Sequence, residues 1–94
     1  MNFIDYTSNI TFMQQRFQNN LNKLGLRIRN LRLNQSKSLN ALVLGREDIT
    51  TATWSRIENG KVNVKFSTLI EVASVLGITL DELLKDVDFS YSKE

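Results

Sequence analysis

A stripe of apolar residues at helical spacing constrains the fold of this chain more than any other feature. Its members follow one another at intervals of four, three, four and three residues: Phe17, Leu21, Leu24, Ile28 and Leu31. This spacing places them on one face of an amphipathic helix and predicts a helix over residues 12–33. The helix is either continuous or made of two collinear pieces, because Gly25 weakens a helix interior by about 1 kcal/mol and Asn20 is a credible N-cap.

Composition excludes several other classes of protein. The 94-residue chain has no Pro and only four Gly, which disfavours a loop-rich all-β domain. It has no Cys and no His, so disulfides, thiolate metal sites and His-dependent nucleophiles are excluded. No apolar run approaches the ~18–20 residues of a membrane span, and the N-terminus does not resemble a signal peptide. We therefore expect a cytoplasmic binding protein that is not an enzyme and needs no metal, cofactor or small-molecule ligand.

Four shorter helices are predicted after the long stripe. Ser38, Thr50 and Thr79 are polar residues that can accept a hydrogen bond from an amide of the first helical turn, as N-caps do. Gly60 and Gly77 are typical residues at which a helix stops. The predicted helices are Ser38–Gly45, Thr51–Asn59, Phe66–Leu76 and a short helix after Thr79 that contains Leu80, Leu83 and Leu84.

The chain divides into three parts. Residues 1–11 show no clear period but are too apolar for a solvated tail, so we interpret residues 1–20 as an N-terminal arm or helical extension that packs on the domain or on a partner subunit. Residues 21–85 form the domain, and residues 86–94 form a polar tail. The expected fold class is all-α, a compact bundle of five helices.

Charge is distributed unevenly along the sequence. Residues 12–65 carry ten bases and three acids, a net charge of +7, whereas residues 66–94 carry two bases and six acids, a net charge of −4. The whole chain has a net charge of only +2. A basic block beside an acidic one predicts that one face meets a polyanion and another turns away from it.

The two short helices at 38–45 and 51–59, joined by about four residues, form the pattern of a helix-turn-helix. In that motif the second helix enters the major groove of DNA with its N-terminus first. Its outer face, opposite the core residues Trp54 and Ile57, supplies the candidates for base contact, which are Thr51, Ala52, Ser55 and Arg56. The candidates for phosphate contact lie at its end and beyond it, and they are Asn59, Lys61 and Lys65. Double-stranded DNA is therefore the expected partner.

Two motifs carry a resemblance to a known family. The segment SRIENGK at 55–61 and the segment LIEVASVLGITLDELL at 69–84 resemble the XRE/Cro-cI family of bacterial and phage regulators. The resemblance covers roughly residues 24–84 and implies a lambda-repressor-like bundle of five helices with a central helix-turn-helix. It also implies a transcriptional regulator that binds a palindromic operator as a homodimer.

The resemblance assigns further roles residue by residue. The N-terminal end of the family's recognition helix matches residues 50–53, which adds Thr50 and Thr53 to the candidates for backbone contact. Arg32 matches an arginine that pairs with the glutamate of the E-N-G motif, here Glu58, and we interpret this pair as structural. A carboxylate at the C-terminus of a helix opposes the helix dipole, so a guanidinium partner would offset it.

Two departures from the family pattern affect the expected site. Leu39 replaces a glutamine that usually anchors a phosphate, and Ser38 or Asn40 is left to substitute for it. The turn at 45–49 is one residue longer than usual, so we expect it to bulge and the preceding helix to end early, near Gly45. The turn contains two acidic residues, Glu47 and Asp48, which either repel phosphate or point into solvent; we favour solvent.

Apolar residues at both ends of the chain predict an interface with a second protein. They either cover the core or form the dimer contact, and they are Phe3, Tyr6, Phe12, Met13 and Phe17 at the N-terminus and Leu83, Val87, Phe89 and Tyr91 at the C-terminus. The alternative function is a protein-interaction module, such as the antitoxin of a toxin–antitoxin pair, with the same fold and weak DNA binding. The missing glutamine and the acidic turn favour this alternative, and Arg56, Lys61 and Lys65 oppose it.

Overall fold

The computed structural model describes the backbone of residues 3–90 and the side chains of residues 15 and 17–90. Five helices follow one another along this part of the chain: α1 (Phe3–Asn34), α2 (Leu39–Val43), α3 (Thr51–Glu58), α4 (Phe66–Leu76) and α5 (Leu80–Leu84). The described residues contain no strand, which confirms the predicted all-α fold class. None of the helices within them is long and apolar enough to cross a bilayer.

Helix α1 is longer than the sequence predicts. It is continuous through Gly25 and begins at Phe3, so the N-terminal segment has the form of a helical extension, one of the two forms expected for residues 1–20. With a rise of about 1.5 Å per residue, its 32 residues span most of the longest dimension of the protein. That dimension is 54 Å, whereas the other two are 26 and 21 Å. The N-terminal half of α1 therefore projects beyond the bundle.

The core lies where the C-terminal half of α1 meets the other four helices. The fully buried side chains come from α1, α3, α4, α5 and the turn before α3, and they are Ile28, Trp54, Ile57, Val72, Leu83 and Ile49. Burying each aliphatic side chain of this size contributes about 1.5–3 kcal/mol. Phe17, which the stripe predicts on the same face as Ile28, is 40% exposed because it lies in the half of α1 that leaves the bundle.

Three predicted N-caps are confirmed. The side-chain oxygens of Ser38, Thr50 and Thr79 accept hydrogen bonds from the backbone amides three residues later, at 3.1, 3.1 and 3.2 Å. Each bond satisfies one of the amides that a first turn leaves without a partner inside the helix. Helix α2 ends at Val43, so the expected early end of this helix is also confirmed.

Side chains of α1, and of Gln35 just after it, hold the C-terminal ends of the shorter helices. The donors are Gln18 Nε2 to the Gly60 carbonyl (2.7 Å), Gln35 Nε2 to the Leu76 carbonyl (2.8 Å) and Arg27 Nη2 to the Glu82 carbonyl (2.7 Å). The Leu76 and Glu82 carbonyls lie in the final turns of α4 and α5, and the Gly60 carbonyl lies just after α3. Carbonyls at the end of a helix lack partners within that helix. Helix α1 and the residue that follows it therefore hold the ends of α3, α4 and α5.

Gly25 permits the closest approach between α1 and α3. A Cβ atom at this position would lie 2.6 Å from the Ile57 carbonyl oxygen and would also collide with the Glu58 carbonyl. Such distances are shorter than van der Waals contact, so only glycine allows α1 to pack against the last turn of α3. The helix-weakening glycine noted in the sequence thus serves the packing of these two helices.

The Gly25→Ala variant tests this packing. Alanine favours a helix by about 1 kcal/mol over glycine, yet we expect the substitution to lower the free energy of unfolding by about 1–3 kcal/mol through overpacking. Urea denaturation followed by the fluorescence of Trp54, the single tryptophan, measures the change. The matched control is Asn30→Ala at an exposed position of α1, which should leave stability unchanged or slightly raised. Equal stabilisation by both substitutions would contradict the close approach.

Candidate nucleic-acid interface

The outer face of α3 consists of small and basic residues. Ala52, Arg56 and Asn59 are exposed and lie at positions i, i+4 and i+7, which share one side of a helix. Of the four predicted base-contact residues, Ala52 and Arg56 are thus exposed, and Thr51 and Ser55 are half-buried at the edge of this face. The buried residues of α3 lie on the opposite side: Trp54 is fully buried and Ile57 is 2% exposed. The structure thus brings the four predicted base-contact residues together on the outer side of α3.

Three exposed cations, on α3 and in the segment after it, are not held in ion pairs. Arg56 is exposed on α3, Lys61 is exposed just after it, and Lys65 is the exposed N-cap of α4. In the part of the chain whose side chains are described, none of the ion pairs engages these three residues. Their positive charges are therefore available to a polyanion.

Several predicted backbone-contact residues already use their polar groups within the protein. The Ser38 hydroxyl caps α2, and the Thr50 hydroxyl caps α3 and also donates to Thr53 Oγ1 at 3.1 Å. The Asn59 side-chain amide donates back to the Ser55 carbonyl at 2.9 Å and to Ser55 Oγ at 3.3 Å. Asn59 must rotate to reach a phosphate, whereas Asn40 is exposed.

The turn between α2 and α3 is attached to α4. Arg46 Nη1 donates to Glu71 Oε2 on α4 at 3.0 Å, and the pair is partly exposed. Glu47 and Asp48 are exposed and line an open groove with Glu71. The two carboxylates of the lengthened turn therefore lie on the side of the turn that meets α4.

A buried ion pair connects α1 to α3. Arg32 donates to Glu58 through Nε (2.6 Å to Oε2) and Nη2 (2.9 Å to Oε1), and its Nη1 donates to the Lys37 carbonyl at 3.1 Å. Both side chains are almost completely buried, with exposed fractions of 11% and 5%. The hydrogen bond to Glu58 raises the pKa of Arg32; burial acts in the opposite direction, and the Coulomb attraction of the same carboxylate adds to the increase.

Glu58 has a second partner that was not predicted from the sequence. The indole Nε1 of Trp54 donates to Glu58 Oε2 at 2.7 Å, so the buried tryptophan is both a core residue and a hydrogen-bond donor. The two residues are four apart on one helix, and this spacing is the signal that could have revealed the contact. The carboxylate accepts three hydrogen bonds from the side chains of two residues, so it is satisfied inside the protein. Its charge is therefore not presented to a polyanion on the outer face.

Comparison with known proteins agrees with the helix-turn-helix arrangement of α2 and α3. A family model described as a helix-turn-helix domain matches residues 23–85, about two thirds of the chain. The chain belongs to the helix-turn-helix domain family. The control protein C.MunI of Mycoplasma sp. is 32% identical over 66 residues, which are 70% of this chain and 89% of that protein. No solved structure matches the chain.

Family membership defines the coarse function. The match and the relative support the resemblance to XRE-type regulators, so this helix-turn-helix protein is a DNA-binding transcriptional regulator and not an enzyme. The matched range begins within α1 and ends just after α5, so it contains α2–α5 and the part of α1 that packs on them. The N-terminal half of α1 lies outside the matched range.

The regulator should lose much of its stability when Glu58 is removed. In Glu58→Ala the Arg32 charge and the Trp54 N–H are left buried without their acceptor, which we expect to cost about 3–5 kcal/mol. The double variant Arg32→Met/Glu58→Met removes both charges and should cost less than Glu58→Ala alone. Thermal and urea unfolding followed by circular dichroism measure these differences.

The matched control uses the ion pair between Arg46 and Glu71, whose side chains are 35% and 31% exposed. Exposed pairs contribute about 0–1 kcal/mol, so Glu71→Ala should have little effect on unfolding. If Glu58→Ala cost no more than Glu71→Ala, the buried pair would not be what holds α3 on α1.

Proposed function

We propose that this regulator acts in the cytoplasm and binds a palindromic operator as a dimer, with α3 of each copy in the major groove of one half-site. The observation that carries the proposal is the outer face of α3, where Ala52 and Arg56 are exposed, together with the exposed Lys61 and Lys65 in the segment that follows the helix. A helix with small residues at its N-terminal end can approach base edges closely, and cations around it can contact phosphates.

Base reading is assigned to the N-terminal half of α3 and to Arg56. The guanidinium of Arg56 can donate two hydrogen bonds to guanine O6 and N7, and the methyl groups of Thr51 and Ala52 can contact a thymine methyl. Ser55, half-buried beside them, can donate to or accept from either kind of base pair. These are sequence-dependent contacts, so they would supply specificity.

Backbone contact is assigned first to Lys61 and Lys65. Both are exposed, and both carry a charge that no described side chain neutralises. The remaining candidates contribute neutral hydrogen bonds or require a rotation, and they are Ser38, Asn40, Thr50, Thr53 and Asn59. Phosphate contacts of this kind would supply affinity that falls with salt and is independent of sequence.

Dimerisation is proposed because one helix-turn-helix contacts only one half-site. Two half-sites on one face of DNA lie about 34–36 Å apart, one helical turn, and a two-fold symmetric pair of copies matches a palindrome. Of the residues expected either to cover the core or to form the dimer contact, Leu83 is fully buried and belongs to the core. Phe17 and Phe89 are exposed and Val87 is half-buried. The side chains of Phe3, Tyr6, Phe12, Met13 and Tyr91 lie outside the described residues.

A protein-interaction module is the second candidate function. The specific observation in its favour is the group of exposed apolar side chains at the turn and on α4, where Leu44 is 83% exposed, Phe66 69% and Ile70 44%. A partner protein, such as the toxin of a toxin–antitoxin pair, could cover these residues. In that case substitutions on the outer face of α3 would leave the essential interaction intact.

The Arg56→Ala variant distinguishes the two functions. If Arg56 reads a base, the variant should lose about 1–3 kcal/mol of affinity for a duplex selected from a randomised pool and should tolerate substitution at one position of each half-site. Lys61→Ala should instead weaken the selected duplex and a scrambled duplex alike. Fluorescence anisotropy at ~50 and ~200 mM salt gives both quantities.

The control variant is Lys85→Ala, which removes a cation from the C-cap of α5, away from the proposed DNA face. It should change neither affinity nor specificity. Equal small effects of Arg56→Ala, Lys61→Ala and Lys85→Ala on every duplex would contradict base reading by α3 and would favour the protein-interaction module.

A further inference from the structure

The unbroken backbone of α1 gives residues 3–17 a helical register that was not evident when this segment was interpreted as an arm. Apolar residues recur within it at intervals of three, four, three and four: Phe3, Tyr6, Ile10, Met13 and Phe17. The stripe continues on the same side of the helix into Leu21, Leu24, Ile28 and Leu31. From Phe3 to Leu31 it takes eight steps over 28 residues, a mean interval of 3.5, which is the repeat of helices that pair side by side.

Among the described side chains of this stripe from Ile28 back to Phe17, exposure rises toward the N-terminus. Leu24 is 7% exposed and Ile28 is fully buried, whereas Phe17 is 40% exposed. Side-chain hydrogen bonds from the described part of α1 to other elements begin at Gln18. Most of the stability of helices in proteins comes from the packing of an apolar face, so a partner on the stripe would stabilise the segment before Gln18.

We propose that the N-terminal half of α1 packs against the same segment of a second copy of this chain, with the stripe from Phe3 to Phe17 as the seam. The heptad-like spacing points to another helix as the partner. The charge of the segment points to a second copy: Asp5 is the single charged residue among residues 1–15, so two identical segments can lie together with little repulsion. The same scarcity of basic residues opposes an interfacial helix on an anionic membrane.

The size of the seam suits a dimer contact. Three of its five residues are aromatic, and aromatic side chains bury about 150 Å² or more each. Together with Ile10 and Met13 they approach the ~800 Å² per partner of a standard protein–protein interface.

The seam is continuous with an apolar cleft at the edge of the bundle. Leu21 and Leu24 of α1 line this cleft of about 180 Å³ together with Leu69, Leu84 and Phe89. Asn20, three residues after Phe17, also lines it, and its buried Oδ1 has no hydrogen-bond partner among the described residues. Asn20 lies next to the end of the seam, and a donor from the second copy would satisfy this oxygen.

The competing interface is on α4, where Phe66 and Ile70 are exposed one turn apart. The inference rests on the proposed function, which requires a second copy of the chain. Its test measures self-association without DNA, so that it can fail independently of DNA binding. Sedimentation velocity measures association of the full chain, and the buried Trp54 reports by its fluorescence that each variant is folded. Circular dichroism measures helix content in the same samples.

The decisive comparison uses two pairs of apolar residues from the same segment. Ile10→Gln/Met13→Gln alters the seam, whereas Ile4→Gln/Phe12→Gln alters other sides of the same helix by the same chemistry. We expect the first variant to weaken self-association by at least about 100-fold, as central apolar contacts do, and to lose helix content with native Trp54 fluorescence. The second variant should associate like the natural chain.

Three results would overturn the inference. They are a natural chain that remains monomeric at high micromolar concentration, equal effects of the two N-terminal variants, and loss of association in Phe66→Gln/Ile70→Gln with none in Ile10→Gln/Met13→Gln. Anisotropy with a single half-site duplex then separates the two proposals. A monomeric seam variant that still binds the half-site more tightly than a scrambled duplex leaves base reading by α3 intact. If the natural chain binds the half-site and the scrambled duplex equally, the proposed function is wrong instead.

Discussion

The ion pair between Arg32 and Glu58 is the interaction on which the position of α3 depends. It joins the end of the longest helix to the end of an eight-residue helix that is too short to be stable alone. The indole of Trp54 binds the same carboxylate from within the core, so the charged contact and the apolar contact hold α3 in one orientation. Gly25 completes this junction, because its missing side chain lets the two helices approach backbone to backbone.

The same junction determines which charges face outward. Glu58 is withdrawn into the protein and neutralised, whereas Arg56, two residues earlier on the same helix, remains exposed. The outer surface of α3 therefore presents small residues and a guanidinium, with two lysines close by in sequence. The acidic groups of the turn are exposed in an open groove that they line with Glu71 of α4. The fold thus keeps the carboxylate of Glu58 away from the outer surface of α3, which is suited to DNA.

Local signals predicted most of the fold, and long-range packing accounts for what was missed. The three N-caps and the buried side of α3 follow from spacing and side-chain chemistry within one or two turns. The role of Gly25 depends on a helix more than thirty residues away, which no local pattern encodes. The stripe from Phe3 to Phe17 was not predicted, because the apolar residues Ile4 and Phe12 lie off it and interrupt the spacing in the sequence. The stripe is recognised once the segment is known to be helical.

The central claim is that α3 reads base sequence in two symmetric half-sites. Selection of binding duplexes from a randomised pool, with sequencing of the bound fraction, tests this claim most directly. The account predicts enrichment of an inverted repeat whose halves are centred about 10 base pairs apart, and loss of information at one position of each half when Arg56→Ala is used. A bound fraction without an enriched motif, or an unchanged motif with Arg56→Ala, would contradict it.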